Sequence, residues 1–71
     1  MPDIAVIKRL LEARGLQGVD VRIMGQRVAA GCSHPDGTNS VVGVKAEGSD
    51  EDIAGKLGDI LVEWSTAVGE G

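Results

Sequence analysis

The sequence has very few aromatic residues and very little cysteine or histidine. Trp64 is the only aromatic residue, since the chain has no Tyr and no Phe. Proteins that bind single-stranded nucleic acid stack bases on exposed rings beside a basic groove, so this mode of binding is not expected. Cys32 and His34 are the only cysteine and the only histidine. They exclude a disulfide-stapled mini-protein and cannot supply the roughly four ligands of a zinc site within one chain.

Long apolar runs are also missing. No run approaches the roughly 20 residues that a membrane-spanning helix needs. The first residues, Met1-Pro2-Asp3, lack the positive charge and the apolar segment of a signal peptide. We therefore expect a soluble cytoplasmic protein with no membrane partner. The 71 residues predict a single domain, 1–71, with a frayed tail at 69–71.

Positive charge is scarce in the second half of the chain. The net charge is −4, and residues 33–71 hold eight of the eleven acidic residues but only two of the seven basic ones. An acidic surface repels phosphate groups, so we expect no nucleic acid partner. A protein partner with a basic surface suits the second half better.

Three strands are predicted between Val19 and Glu47. Apolar residues alternate with charged ones from Val19 to Ile23, which is typical of a half-buried strand. Gly25-Gln26 suits a two-residue type II′ turn, because Gly accepts a positive φ at the first central position. This turn places apolar residues of both strands on one face, in the pairs Ile23 with Val28, Val21 with Ala30, and Val19 with Cys32.

A second turn is predicted at His34-Pro35-Asp36-Gly37-Thr38. Its residues fit a type I turn followed by a glycine in the left-handed conformation. The same inward face then continues across the third strand, in the pairs Cys32 with Ser40, Ala30 with Val42, and Val28 with Val44. The small residues in its middle leave space, which we expect Trp64 and the leucines to fill.

Two amphipathic helices flank the predicted strands. The first opens at Pro2 or Asp3 and ends before Gly15, with an apolar stripe of Ile4, Ile7, Leu10 and Leu11. Ser49 is a strong N-cap for the second helix, and Asp52 completes a capping box. The second helix runs to about Ala67, and its predicted core stripe is Ile53, Leu57, Ile60, Leu61, Trp64 and Val68.

The predicted fold is a two-layer α+β sandwich of α-β-β-β-α order, with both helices packed on one face of an antiparallel meander. This order resembles the double-stranded-RNA-binding domain over nearly the whole chain, in topology only. The resemblance implies a Lys-rich segment at the start of the second helix. This chain has Ser49-Asp50-Glu51-Asp52 at that position, and the three carboxylates would repel the phosphates through which double-stranded RNA is bound.

No catalytic set is predicted. Cys32 and His34 lie two residues apart, but a nucleophilic thiol must be exposed and activated. The predicted register buries Cys32 and leaves His34 solvated at a turn. We therefore predict a protein that is not an enzyme and has no cofactor.

Small residues on the outward faces are the candidate partner-binding positions. Glycine weakens a strand and costs about 1 kcal/mol inside a helix relative to alanine. Their presence indicates either weak selection or close approach by another backbone. The candidates on the sheet are Met24, Ala29, Gly31, Val41 and Gly43. On the second helix, Gly55, Gly58, Val62 and Ser65 lie opposite the predicted core stripe, and Gly55 and Gly58 are the candidates.

Asp50, Glu51 and Asp52 form a further candidate surface. Acids in the first turn of a helix stabilise it through the helix dipole, and they can also face a basic groove of a partner. Both interpretations remain open.

The third strand is the weaker edge of the meander. The first strand carries Asp20 and Arg22, whereas Val41-Val42-Gly43-Val44 has no charge before Lys45. We expect strand 41–47 to pair with a partner strand or with a second copy of the chain.

The function predicted is a small acidic protein-binding module, of the kind found among phage- or mobile-element-encoded regulators and inhibitors of host protein complexes. A self-associating structural subunit and a degenerate double-stranded-RNA-binding-like domain are the alternatives.

Overall fold

The computed structural model describes the backbone of residues 2–70 and the side chains of residues 2–64. The order of its elements is helix, three antiparallel strands and helix, as predicted. The elements are α1 (Ile4–Glu12), β1 (Gln17–Met24), β2 (Arg27–Ser33), β3 (Asn39–Lys45) and α2 (Asp50–Glu70).

The three strands form one sheet with β2 in the centre. The β2–β3 register matches the prediction, with Cys32 opposite Ser40 and Val28 opposite Val44. The β1–β2 register also matches from Val21 to the turn. Alternation of apolar and polar residues fixed this register, since a slip of one residue would bury the charged side chains.

A bulge in β1 breaks the predicted register at one place. Gln17 pairs with Ser33 and Asp20 with Gly31, so Gly18 and Val19 together lie opposite Cys32. The predicted regular pair of Val19 with Cys32 is therefore wrong. Gly18 has a φ of +62°, the left-handed conformation in which glycine starts a bulge of this kind.

Both hairpin turns have the predicted glycine conformations. Gly25 has a φ of +63°, and Gln26 does not have a positive φ, as a type II′ turn requires. Gly37 has a φ of +89°, and the amide of His34 donates to the carbonyl of Thr38 at 2.8 Å. These turns set the positions of both edge strands.

The N-terminus of each helix is capped by side chains. Asp3 is the N-cap of α1, and its carboxylate accepts hydrogen bonds from the amides of Ala5 and Val6. Ser49 Oγ accepts from the amide of Asp52, and Asp52 Oδ2 accepts from the amide of Ser49, both at 3.1 Å. The predicted capping box is thus confirmed, and α2 continues to Glu70 instead of ending near Ala67. A frayed tail at 69–71 stays a prediction, because the side chains there and Gly71 lie outside the described residues.

The core lies between the sheet and the two helices. Ile7 and Leu11 of α1 and Leu57 and Leu61 of α2 are fully buried in one cluster with the inward residues of the sheet. Ile23 and Ile4, which were predicted to face inward, lie at the rim, with 36% and 41% of their surfaces exposed. The described residues contain no helix that is long and apolar enough to span a bilayer.

The buried face of α2 differs from the predicted stripe. Trp64 is 47% exposed, so its predicted place in the core is wrong. Leu57 and Leu61 of α2 lie in one cluster with Ala30 and Cys32, while α1 packs beside α2 and β1. This packing buries Ala54 and Gly58 and partly buries Val62. Gly58 and Val62 were predicted to face outward; Ser65 and Val68 lie outside the residues with described side chains.

Candidate functional site

One face of the sheet is left uncovered by the helices. We call this the outer face and define it as the outward residues Asp20, Arg22, Met24, Arg27, Ala29, Gly31, Val41, Gly43 and Lys45. Val41 is 71% exposed and Met24 is 63% exposed. Part of the face forms a shallow concavity of about 490 Å³ that includes Met24, Gly31 and Val41. Exposed apolar side chains at a concave surface are suited to contact with another molecule.

Gly31 lies beneath the side chain of Val41 on the outer face. A Cβ at Gly31 would lie 3.2 Å from Val41 Cγ2 and 3.0 Å from the carbonyl oxygen of Ser40. The absence of a side chain at Gly31 therefore leaves room for the Cγ2 methyl of Val41. A neighbour in the same chain accounts for this glycine, without close approach by a partner backbone.

Gly43 is crossed by the side chain of Arg27. Arg27 Nη2 donates to the carbonyl oxygen of Gly43 at 3.0 Å, and a Cβ at Gly43 would lie 3.6 Å from Arg27 Nε. The guanidinium thus reaches from the central strand over β3. The sequence suggested an unguarded edge here, because Arg27 is distant from Gly43 in the chain.

The hydrogen bonds of the β2–β3 hairpin determine which backbone groups of β3 point to its free edge. The amide of His34 donates to Thr38 and that of Ala46 donates to Gln26. In an antiparallel ladder the hydrogen-bonded pairs recur every second residue. Even-numbered residues of β3 therefore bond to β2. The amides and carbonyls of the odd-numbered residues, Val41, Gly43 and Lys45, point to the free edge, and their side-chain positions belong to the outer face.

The β1 edge carries an ion pair on the outer face. Arg22 Nε lies 3.0 Å from Asp20 Oδ2, and both side chains are largely exposed. Charged side chains discourage further strand pairing at a sheet edge. The bulge at Gly18 adds to this protection, so β3 is the more regular of the two edges.

The acidic start of α2 has a structural role in this fold. Asp52 forms the capping box, and Asp50 Oδ1 accepts from the amide of Asp3 at 3.1 Å, which joins the starts of the two helices. Glu51 is exposed and lies in the first turn, where the dipole favours an acid. Hydrogen bonds to backbone amides of the same chain thus account for two of these three carboxylates.

The two candidate glycines of α2 have different surroundings. A Cβ at Gly55 would meet no described atom within 4 Å. Gly58 is buried under Arg14, whose Cδ would lie 3.0 Å from an added Cβ. Arg14 also lies 3.0 Å from Asp59. The predicted outward position of Gly58 is therefore wrong, because Arg14, which follows α1, covers it.

His34 is buried, and its predicted solvated position is wrong. It is 6% exposed, and its Nε2 is hydrogen-bonded to the hydroxyl of Ser40, which is also buried. Its Nδ1 has no hydrogen-bond partner among the described atoms. Residue parity predicted the inward direction, since His34 follows Cys32 by two positions, but the turn residues beside it favoured exposure.

Cys32 is 2% exposed, as the register predicted. Burial raises the pKa of the Cys32 thiol, which lowers its reactivity. The buried hydroxyl of Ser40, rather than this thiol, is hydrogen-bonded to His34.

Among the described residues, no group of three His, Cys, Asp or Glu side chains is placed to hold a metal ion.

Comparison with known proteins finds no relative of this chain. No family model matches the chain, and neither a curated protein nor a solved structure matches it.

Proposed function

We propose that the protein is a non-enzymatic protein-binding module that recognises its partner through the free edge of β3 and the adjoining outer face. The observation that supports this is the combination of a free strand edge with the exposed Val41 beside it. A partner segment that adds a strand there gains backbone hydrogen bonds, while its side chains contact the outer face.

The sheet suits this role better than the acidic start of α2. Two of the three acids at that helix end already accept hydrogen bonds from the chain's own backbone. A partner with a basic surface that contacts this end is the alternative for the same module. We place the protein in the cytoplasm, as a small regulator or inhibitor of a protein complex of phage or mobile-element type. Its size and composition suggest this role.

Self-association through the same edge is the second candidate function. Two copies of β3 paired antiparallel about Gly43 would place Val41 of each copy beside Lys45 of the other. Sedimentation velocity over a wide concentration range separates this function from the first. A dimer that Gly43→Lys abolishes supports the structural subunit, whereas a monomer at every concentration supports a different protein as the partner.

RNA binding is a third candidate, which the α-β-β-β-α order alone favours. Three carboxylates at the start of α2 would repel phosphates. A gel-shift experiment with duplex RNA at physiological salt should therefore show no complex, and a micromolar complex would favour the RNA-binding function.

Capture of partner proteins from native cells by three forms of the protein tests the proposal. Gly43→Lys adds a long side chain at the β3 edge, where a Cβ would lie 3.6 Å from Arg27 Nε. Gly55→Lys is a matched control, since the same substitution occurs where a side chain meets only open space. We expect the unchanged protein and Gly55→Lys to retain the same partner and Gly43→Lys to lose it. Retention by folded Gly43→Lys with loss by Gly55→Lys would move the site to α2.

A further inference from the structure

Two cations lie opposite each other on the outer face: Arg27 of β2 and Lys45 of β3. They are directly paired across β2 and β3, and both are exposed. Like charges in this position destabilise a sheet. Within the described part of the chain, neither cation lies within 4 Å of a carboxylate; the ion pairs there are Arg14 with Asp59 and Arg22 with Asp20. Neither cation therefore forms an ion pair among the described residues.

Arg27 also has unused hydrogen-bonding capacity at the free edge. Among the described residues its guanidinium makes one hydrogen bond, to the Gly43 carbonyl, out of the five that its N–H groups allow. This carbonyl is one of the groups that an added strand would use. In the isolated protein, Arg27 is thus hydrogen-bonded to this carbonyl oxygen. When a strand binds, Arg27 must share the oxygen with an amide of that strand or release it.

From this charge pattern we infer that the partner segment is an extended strand with a carboxylate opposite Gly43. Two positions away, beside Val41, this strand has an apolar, β-branched residue. This inference rests on the proposed function. A side chain on an added strand lies about 5 Å from the residue that it faces. A carboxylate opposite Gly43 is then within reach of the guanidinium above that glycine, and it can bind in the bidentate geometry that arginine favours.

The surrounding charges agree with an acidic segment. Arg22 on the outer face is already paired with Asp20, so that pair contributes little net charge. Glu47 lies at the same end of the sheet as Arg27 and Lys45, and its carboxylate forms no ion pair within 4 Å with either cation. Two cations and one carboxylate therefore leave a net positive charge at this end of the proposed contact.

Selection from a displayed library of random peptides tests the inference without a known partner. We expect peptides that carry Asp or Glu and a β-branched residue at i and i+2. The best peptide, made synthetically, should bind Arg27→Gln about tenfold more weakly, which corresponds to the loss of one charge-assisted hydrogen bond. Arg9→Gln is the matched control, because Arg9 is an exposed arginine on α1, and it should bind as the unchanged protein does.

The outcomes separate this inference from the proposed function. Selected peptides that lack Asp and Glu, or that bind Arg27→Gln as tightly as the unchanged protein, would overturn the inference of an acidic segment. If those peptides also fail to bind Gly43→Lys, the β3 edge stays the proposed site. Peptides that still bind Gly43→Lys but are lost with Gly55→Lys would overturn both. A selection that enriches no sequence would contradict the inference as well.

Discussion

Ser40 and His34 form a buried hydrogen bond across the β2–β3 hairpin. The hydroxyl of Ser40 is bonded to Nε2 of the imidazole, and both side chains are at least nine-tenths buried. This contact connects the long turn to the edge strand that we propose as the binding site. It therefore stabilises the position of β3 as well as the hairpin.

Replacement of Ser40 by Ala should destabilise the protein. The imidazole would then lose its described partner while still buried, and an unsatisfied buried polar group costs about 1–3 kcal/mol. Ser33→Ala is the control, since Ser33 is exposed on β2, and its effect should stay within about 0.5 kcal/mol. Urea unfolding measures both variants. Equal stability of Ser40→Ala and the unchanged protein would show that the hydrogen bond contributes nothing.

The Cys32 thiol should react only when the protein unfolds. It is buried in the core, and its pKa is raised by burial, so thiolate formation is disfavoured in the folded state. A raised pKa contributes stability that is present below the unfolded pKa and is lost as the pH rises through the folded value. Labelling with a thiol reagent should be slow in native buffer and fast in denaturant. Rapid native labelling would contradict the assignment of β2.

The β2–β3 turn should be sensitive to acid through Asp36. Hydrogen bonds from the Thr38 hydroxyl and amide lower the pKa of the Asp36 carboxyl. The stabilisation is present above the unfolded pKa of about 3.9 and is lost as the pH falls through the folded value. Thr38→Val removes the hydroxyl and should raise the Asp36 pKa in an NMR titration. An unchanged pKa would show that this hydroxyl has no influence.

Alanine at the two glycines of α2 should have unequal effects. Gly55→Ala meets open space and should stabilise the protein by about 1 kcal/mol, the difference between these residues in a helix. Gly58→Ala should gain less or destabilise, because Arg14 must move away from its position beside Asp59. Thermal unfolding compares the two variants. An equal gain in both would show that Arg14 relocates without cost.

Local residue patterns predicted most of the fold. Gly25 and Gly37 predicted the turns, and the alternation around Val21 predicted the register, because each depends on neighbours in the chain. The errors at Trp64 and Gly58 come from packing between elements. Helical periodicity identifies an apolar face, but the position of α1 beside α2 decided how that face is oriented.

The candidate surface was predicted in part. Gly43 and Val41 were placed on the outer face by parity, and the structure exposes both. The contact of Arg27 with the Gly43 carbonyl was not predicted, since it depends on the rotamer of a long side chain that reaches across a strand. The bulge at Gly18 was not predicted either, because a glycine just before a strand fits an ordinary loop as well as a bulge.

Residue-resolved hydrogen exchange of the free and bound protein tests strand addition at β3 most directly. In the free protein, the amides of Val42 and Val44 should exchange slowly, and those of Val41, Gly43 and Lys45 should exchange fast. Binding of the captured partner, or of the selected peptide, should slow exchange at these last three amides and leave the β1 edge unchanged. Protection at the β1 edge or along α2, with β3 still exchanging fast, would contradict the account.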